Sequence, residues 1–179
     1  QRVKELIKEI ARKISKAFNL NNVPLLIQLL IDGNDIWVLE FSSRIGGGSK
    51  CHFIKRITGF DIIDYYLDSI FKTVNSATAQ PCQSFAAMNY IYANPGIFNE
   101  LVNIESLKNH GIVEQYYLYK SKGMRINGFL SSSDRPAGFM VISDKMDELK
   151  EKVRYVDKEI KVLNENNDDI MLHGLYDDL

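Results

Sequence analysis

Apolar residues open the chain at helical spacing: Val3, Leu6, Ile7, Ile10, Ile14 and Phe18 recur along one side, and Arg2, Lys4, Lys8, Arg12 and Lys16 fill the other. This predicts an amphipathic helix that breaks at Asn19 to Asn22. The period then changes. Two nearly continuous apolar runs, Leu25 to Ile31 and Ile36 to Phe41, flank Asp32-Gly33-Asn34-Asp35, residue types that tolerate positive φ in tight turns. They predict a β-hairpin covered on both faces.

A glycine run, Gly46-Gly47-Gly48, leads through Ser49 and Lys50 toward a short helix. Another helix follows from about Phe60 to Val74, with Ile63, Tyr66, Leu67, Ile70 and Phe71 inward. Small polar residues from Asn75 to Pro81 mark a boundary, giving units 1–75 and 76–179. The second unit is β-rich, with strands over Ser84 to Tyr92, Val113 to Tyr119 and Gly138 to Ser143. Turns fall at Asn94-Pro95-Gly96 and around Ser133 to Pro136, and Asp144 caps a helix running to about Tyr155. The class is α+β: an antiparallel sheet with flanking helices, then a smaller β-rich α+β subdomain.

Each hairpin run is interrupted once, by Gln28 and by Glu40. A three-residue loop over Gly33, Asn34 and Asp35 would pair Asp32 with Ile36 and put Gln28 opposite Glu40, about 5 Å apart on one face. A two-residue loop would spoil that pairing. Strand alternation carries Glu40, Ser42 and Arg44 on the same side. A buried carboxylate without partners would take up a proton, whereas a divalent cation or Arg44 would keep Glu40 ionised. Magnesium takes hard oxygen ligands, which Gln28, Glu40 and Ser42 offer beside a substrate phosphate. The bland alternative is a Glu40–Arg44 ion pair with Gln28 on an edge. Backbone amides in the Gly46, Gly47 and Gly48 run would add an anion-binding concavity. His52 reads as a packed or surface residue.

Glu40-Phe41-Ser42-Ser43-Arg44, followed by Ile45-Gly46-Gly47-Gly48 and then Ile57-Thr58-Gly59-Phe60-Asp61, resembles the metal-binding segment of ATP-grasp ligases, whose usual pattern is E-x-N-x-R. The carbamoyl phosphate synthase branch typically carries a glutamine twelve residues before the glutamate, the spacing of Gln28 to Glu40. The likeness covers residues from about Val3 to Val74 as the end of the larger lobe, and more loosely the C-terminal subdomain. It implies metal ligation by Gln28, Glu40 and Ser42, phosphate contact by Gly46, Gly47 and Gly48, and Arg44 as the catalytic cation on the γ-phosphate or acyl phosphate. Ser42 departs from the pattern, offering a shorter hydroxyl in place of an amide oxygen. The cofactors implied are ATP and magnesium, as one ion or two, with manganese able to substitute. The reaction implied joins a small-molecule carboxylate to an amine through an acyl phosphate.

Several other readings narrow the class. Net charge of −1, with no polybasic tract, removes the electrostatic case for nucleic acid. No apolar run is long enough to span a bilayer and no signal peptide appears, so the expectation is a cytoplasmic chain without membrane contact. Cys51 and Cys82 form neither a metal spacing nor a disulfide framework and read as buried small hydrophobes. Opening at Gln1 directly into a helix, the chain reads as a piece of a longer polypeptide; the resemblance implies that the adenine pocket lies in a preceding lobe, so the isolated fragment is expected to be inactive. A homodimer is a further expectation from the resemblance. The rival class is a non-catalytic α+β interaction module in which Gln28, Glu40 and Arg44 form a structural polar cluster.

Overall fold

A computed structural model describes residues 2–33, 35–71 and 84–177. The chain divides into two compact units, Gln1–Pro81 and Cys82–Leu179. The expected boundary at residues 75–81 lies outside the described residues.

Unit 1 begins with α1 (Arg2–Ala17), whose apolar stripe is half-buried as the spacing predicts. Asn19 and Asn22 then take positive φ and end it. The antiparallel strands β1 (Leu26–Asp32) and β2 (Asp35–Ser42) follow, then α2 (Lys50–Thr58) and α3 (Ile62–Phe71). Helix α2 stops at Gly59, whose φ of +66° supplies a left-handed cap. Asp61 opens α3 by accepting the Ile63 and Asp64 amides, and it also pairs with Lys55 at 2.6 Å.

Unit 1 has no described hydrophobic residue among the fully buried ones, which corrects two expectations. The hairpin is not covered on both faces: Leu30, Ile31, Trp37, Val38 and Leu39 are exposed. The stripe expected to point inward from α3 is also open, with Ile63, Leu67, Ile70 and Phe71 exposed and only Tyr66 half-buried. The physical reason is thickness. A two-stranded ribbon with three amphipathic helices supplies too few layers to enclose both sheet faces.

Unit 2 holds the hydrophobic core. Strands β3 (Phe85–Ile91), β7 (Ala137–Ser143) and β5 (Gln115–Leu118) form one antiparallel sheet in the order β3-β7-β5. Strands β6 (Arg125–Ile126), β4 (Gly96–Val102) and β8 (Lys161–Asn164) form a second. Helices α4 (Ile104–Asn109) and α5 (Met146–Glu159) complete the unit. Alternating residues Ala137, Phe139 and Val141 of β7 are fully buried and join Val153 and Val156 of α5, with Phe98 and Val162 of the second sheet. Strands β4, β6 and β8 and helix α4 carry weaker patterns and were not anticipated by periodicity. Asp144 is not the cap of α5: Lys145 occupies that position, and Asp144 accepts the Ser84 hydroxyl at 2.6 Å.

Candidate functional site

The turn of the first hairpin is tighter than the spacing suggests. Asp32 lies opposite Asp35, and Leu29, Leu30 and Ile31 face Val38, Trp37 and Ile36. With that register Gln28 would meet Leu39. Instead the ladder shifts between Leu29 and Gln28, so Gln28 faces Glu40 and Leu39 has no opposite number. The expected pairing is therefore present, although the three-residue loop that was to produce it is not. A β-bulge supplies the missing residue.

Cross-strand partners project to the same side of a ribbon, so Gln28 and Glu40 share one face. The other face is fixed by Phe41, whose ring packs 4.8 Å from that of Phe18 beyond the end of α1. Ser42, the last residue of β2, pairs with Leu26 and alternates onto the side of Glu40. Both Gln28 and Glu40 are exposed, correcting the expectation of a buried carboxylate. Neither side chain has a hydrogen-bond or ion-pair partner among the described residues. Their oxygens are free to accept from outside, and amide and carboxylate oxygens are the hard donors that magnesium takes.

Arg44 lies two residues past the end of β2, so the strand does not align it. Its Nη1 donates to the Ile45 carbonyl at 3.0 Å, and no Glu40–Arg44 ion pair exists among the described residues. In the glycine run only Gly48 has positive φ, at +68°. Gly47 has open space where a Cβ would stand, whereas a Cβ on Gly46 would approach Lys50 Cδ at 2.8 Å. Ser49 then caps α2 by position, fully buried, without a side-chain cap bond. His52 is exposed and Cys51 half-buried, and Cys82 lies outside the described residues.

A cavity of about 190 Å³ in unit 1 is lined by Val23, Pro24, Phe60, Ile62, Tyr65 and Tyr66 and includes none of the expected site residues. Among the described residues no group of three or more His, Cys, Asp or Glu side chains gathers as a metal cluster. The Gln28–Glu40 pair would thus supply part of a coordination shell, the rest coming from substrate oxygens or water. Among the described residues no helix is long and apolar enough to cross a membrane.

Sequence reasoning found no nucleophile, base or metal cluster in unit 2, and among the described residues two polar clusters built on aspartates stand out. Asp134 is buried and accepts the backbone amides of Asn127 and Phe129, at 2.9–3.0 Å, and the Asn127 side-chain amide at 3.1 Å. Burial alone would raise its pKa, but these donors and Lys120, 3.7 Å away, hold it below the ordinary carboxylate range. The second cluster joins His173 to the carbonyl of Asp157 at 2.7 Å and the carboxylate of Asp169 at 3.2 Å. The only sequence signal for either was residue type, because the partners are brought together from separate segments, Asp157 from α5 and Asp169 and Asn127 from outside it.

No protein-family model matches the sequence, and no curated protein sequence matches it. Solved structures do match in fold. An L-amino acid ligase from Bacillus licheniformis superposes with a TM-score of 0.76 at 21% identity, covering 93% of this chain and 42% of the ligase. Phosphoribosylglycinamide synthetase from Anaerococcus prevotii gives 0.69 at 19% identity, over 92% of this chain and 42% of that one. N5-carboxyaminoimidazole ribonucleotide synthetase from Thermotoga maritima gives 0.68 at 17% identity, over 92% and 44%. The chain thus spans about two fifths of the length of these solved structures.

Proposed function

Because the chain carries part of the ATP-grasp fold, we propose that it belongs to an ATP-dependent carboxylate–amine ligase and contributes that enzyme's magnesium–phosphate site. One observation carries the reading: Gln28 and Glu40 face each other across the ladder with neither oxygen set engaged internally. A structural Gln28–Glu40–Arg44 cluster, the basis of the rival interaction-module reading, would require mutual contacts. Arg44 instead donates to its neighbour's carbonyl.

In this reading Gln28 Oε1, the Glu40 carboxylate and the Ser42 hydroxyl hold magnesium, one ion or two, and manganese can replace it. The metal, when bound, neutralises phosphate charge. Arg44 swings from the Ile45 carbonyl to the transferred phosphoryl group, where its planar fork matches phosphate oxygens. The amides of Gly47 and Gly48 border the same anion, with no side chain at Gly47 to obstruct its approach. A substrate carboxylate oxygen attacks the γ-phosphorus of ATP and ADP leaves, forming an acyl phosphate. The amine nitrogen then attacks the carbonyl carbon, phosphate leaves, and the nitrogen loses a proton to give the amide.

In this reading the adenine pocket and phosphate lysines come from a lobe of the parent enzyme other than the part this chain represents. The apolar hairpin faces around Leu30, Trp37 and Leu39 support a partner lobe of the same polypeptide packing there. The chain alone therefore binds metal weakly and does not turn over ATP.

Manganese titration followed by electron paramagnetic resonance tests the site directly. The expected result is saturable binding to this chain that magnesium displaces, weakened about tenfold or more by Glu40→Gln, a loss of at least ~1.4 kcal/mol. Binding left unchanged by both Glu40→Gln and Gln28→Ala would defeat the assignment.

A further inference from the structure

Arg135, just before β7, belongs to none of the site described above. Its guanidinium carbon lies 3.9 Å from the ring centroid of Tyr90 and 5.4 Å from that of Tyr92. Its Nε donates to the Tyr92 hydroxyl at 2.8 Å. One flat face is thus stacked and one edge is pinned, which fixes the plane of the side chain.

The base of the stack is itself braced. The Tyr176 hydroxyl donates to the Tyr90 carbonyl at 2.6 Å and accepts the Tyr90 amide at 2.9 Å, and the Tyr119 ring lies 6.4 Å from that of Tyr90. The nearest acid in sequence, Asp134, is committed to backbone amides and to Lys120. Arg135 accordingly has no carboxylate within ion-pair reach among the described residues, and its Nη1 and Nη2 donors have no partner there. It is half-buried. An arginine serving only to cover a tyrosine face would have no need of a locked plane with the bidentate end left open.

We propose that Arg135, held on Tyr90 and Tyr92, is a second oxyanion site, seated in unit 2, that takes the carboxylate or phosphate group of a small molecule through its free Nη donors. The fork matches two oxygens of either group, and stacking has already removed much of the side-chain entropy that binding would otherwise cost. The site stands on unit 2 alone. It requires neither nucleotide nor magnesium, so its failure and that of the ligase reading are separable.

The test is a titration of this chain with sodium acetate and, separately, with inorganic phosphate, at constant ionic strength made up with chloride. The backbone amide resonances of Tyr90, Ile91, Tyr92 and Ala137, which every variant retains, are followed by 1H–15N NMR, together with the Arg135 side-chain N–H resonances of the parent chain. A saturable shift is expected, abolished by Arg135→Gln and weakened about tenfold by Arg135→Lys, which keeps the charge and loses the fork. Tyr92→Phe, which frees Nε, should weaken it less. Retained β7 amide resonances establish that each variant is folded, and Arg135→Lys and Tyr92→Phe keep the test decisive if Arg135→Gln does not fold. Saturation by acetate alone assigns a carboxylate ligand, by phosphate alone a phosphate ligand, and by both a shared oxyanion seat. A response to neither anion, or one that persists in Arg135→Gln or is unchanged in both other variants, overturns the proposal.

Discussion

Gln28 and Glu40 face each other because the hairpin ladder absorbs one extra residue, Leu39, between that pair and the turn. Sides alternate residue by residue along a strand, so removing Leu39 would straighten β2 without moving any other side chain to the opposite face. A Leu39 deletion should therefore keep Gln28 opposite Glu40, read from cross-strand amide contacts by NMR. A register displaced by one residue would mean that the Asp32–Asp35 turn pairing does not hold and that the ladder keeps its irregularity without Leu39.

The two units should respond very differently to loss of apolar bulk. Phe139 is 0% exposed at the centre of the unit 2 core, whereas Trp37 in β2 is 48% exposed. Phe139→Ala should cost roughly 3–5 kcal/mol of unit 2 stability in denaturant unfolding, through lost transfer energy and the cavity left behind. Trp37→Ser should change stability by no more than about 0.5 kcal/mol while reducing binding of a hydrophobic dye. A large loss of stability from Trp37→Ser would show that the hairpin face is packed in solution.

How much of this was legible beforehand depended on whether a signal was periodic or paired. The stripe of Val3 to Ile14 follows from a repeat of 3.6 residues and is present, and the strand over Gly138 to Ser143 is present within β7, whereas the opposed Gln28 and Glu40 arise from a bulge that no repeat length encodes. Periodicity indicates which residues seek cover, but not whether cover exists. The same apolar run that identifies β1 and β2 therefore led to a wrong expectation of burial, since Leu30 and Trp37 stand exposed. Short strands such as Arg125–Ile126 contain too few residues to display a period at all. The stack of Arg135 on Tyr90 joins positions 45 residues apart through sheet pairing, and the bond between Tyr176 and Tyr90 spans 86. No local pattern encodes such contacts.

Asp134 organises the loop before β7, and its contribution should depend on its charge. Asn127 and Phe129 amides donate to it, and an asparagine there would turn a donor toward those donors. Asp134→Asn should destabilise unit 2 by roughly 2–4 kcal/mol. Its folded-state pKa is depressed, so the contribution is present above the unfolded value of about 3.9 and is lost as pH falls through the folded value. Acid unfolding of Asp134→Asn should show a shallower pH dependence below about 4 than the parent chain. An identical slope would remove Asp134 from the account.

His173 ties the segment after β8 to the end of α5, and its proton should govern that attachment. Its ring nitrogens lie 2.7 Å from the Asp157 carbonyl and 3.2 Å from the Asp169 carboxylate, and both contacts are satisfied as donors only by the imidazolium. Partial burial would lower its pKa, but the Asp169 hydrogen bond, the Asp157 carbonyl and the charges of both carboxylates outweigh that and raise it. Because the folded value exceeds the unfolded one, the stabilisation is complete below about pH 6.5 and disappears as pH rises through the folded value. Thermal unfolding should therefore show a midpoint that falls as pH rises above about 6.5, and the exchange protection of amides from Met171 to Tyr176, corrected for intrinsic base catalysis, should fall with it. His173→Gln should flatten both trends, because glutamine retains hydrogen bonding without a titrating proton. If the variant and the parent chain fall in parallel, another group carries the pH dependence.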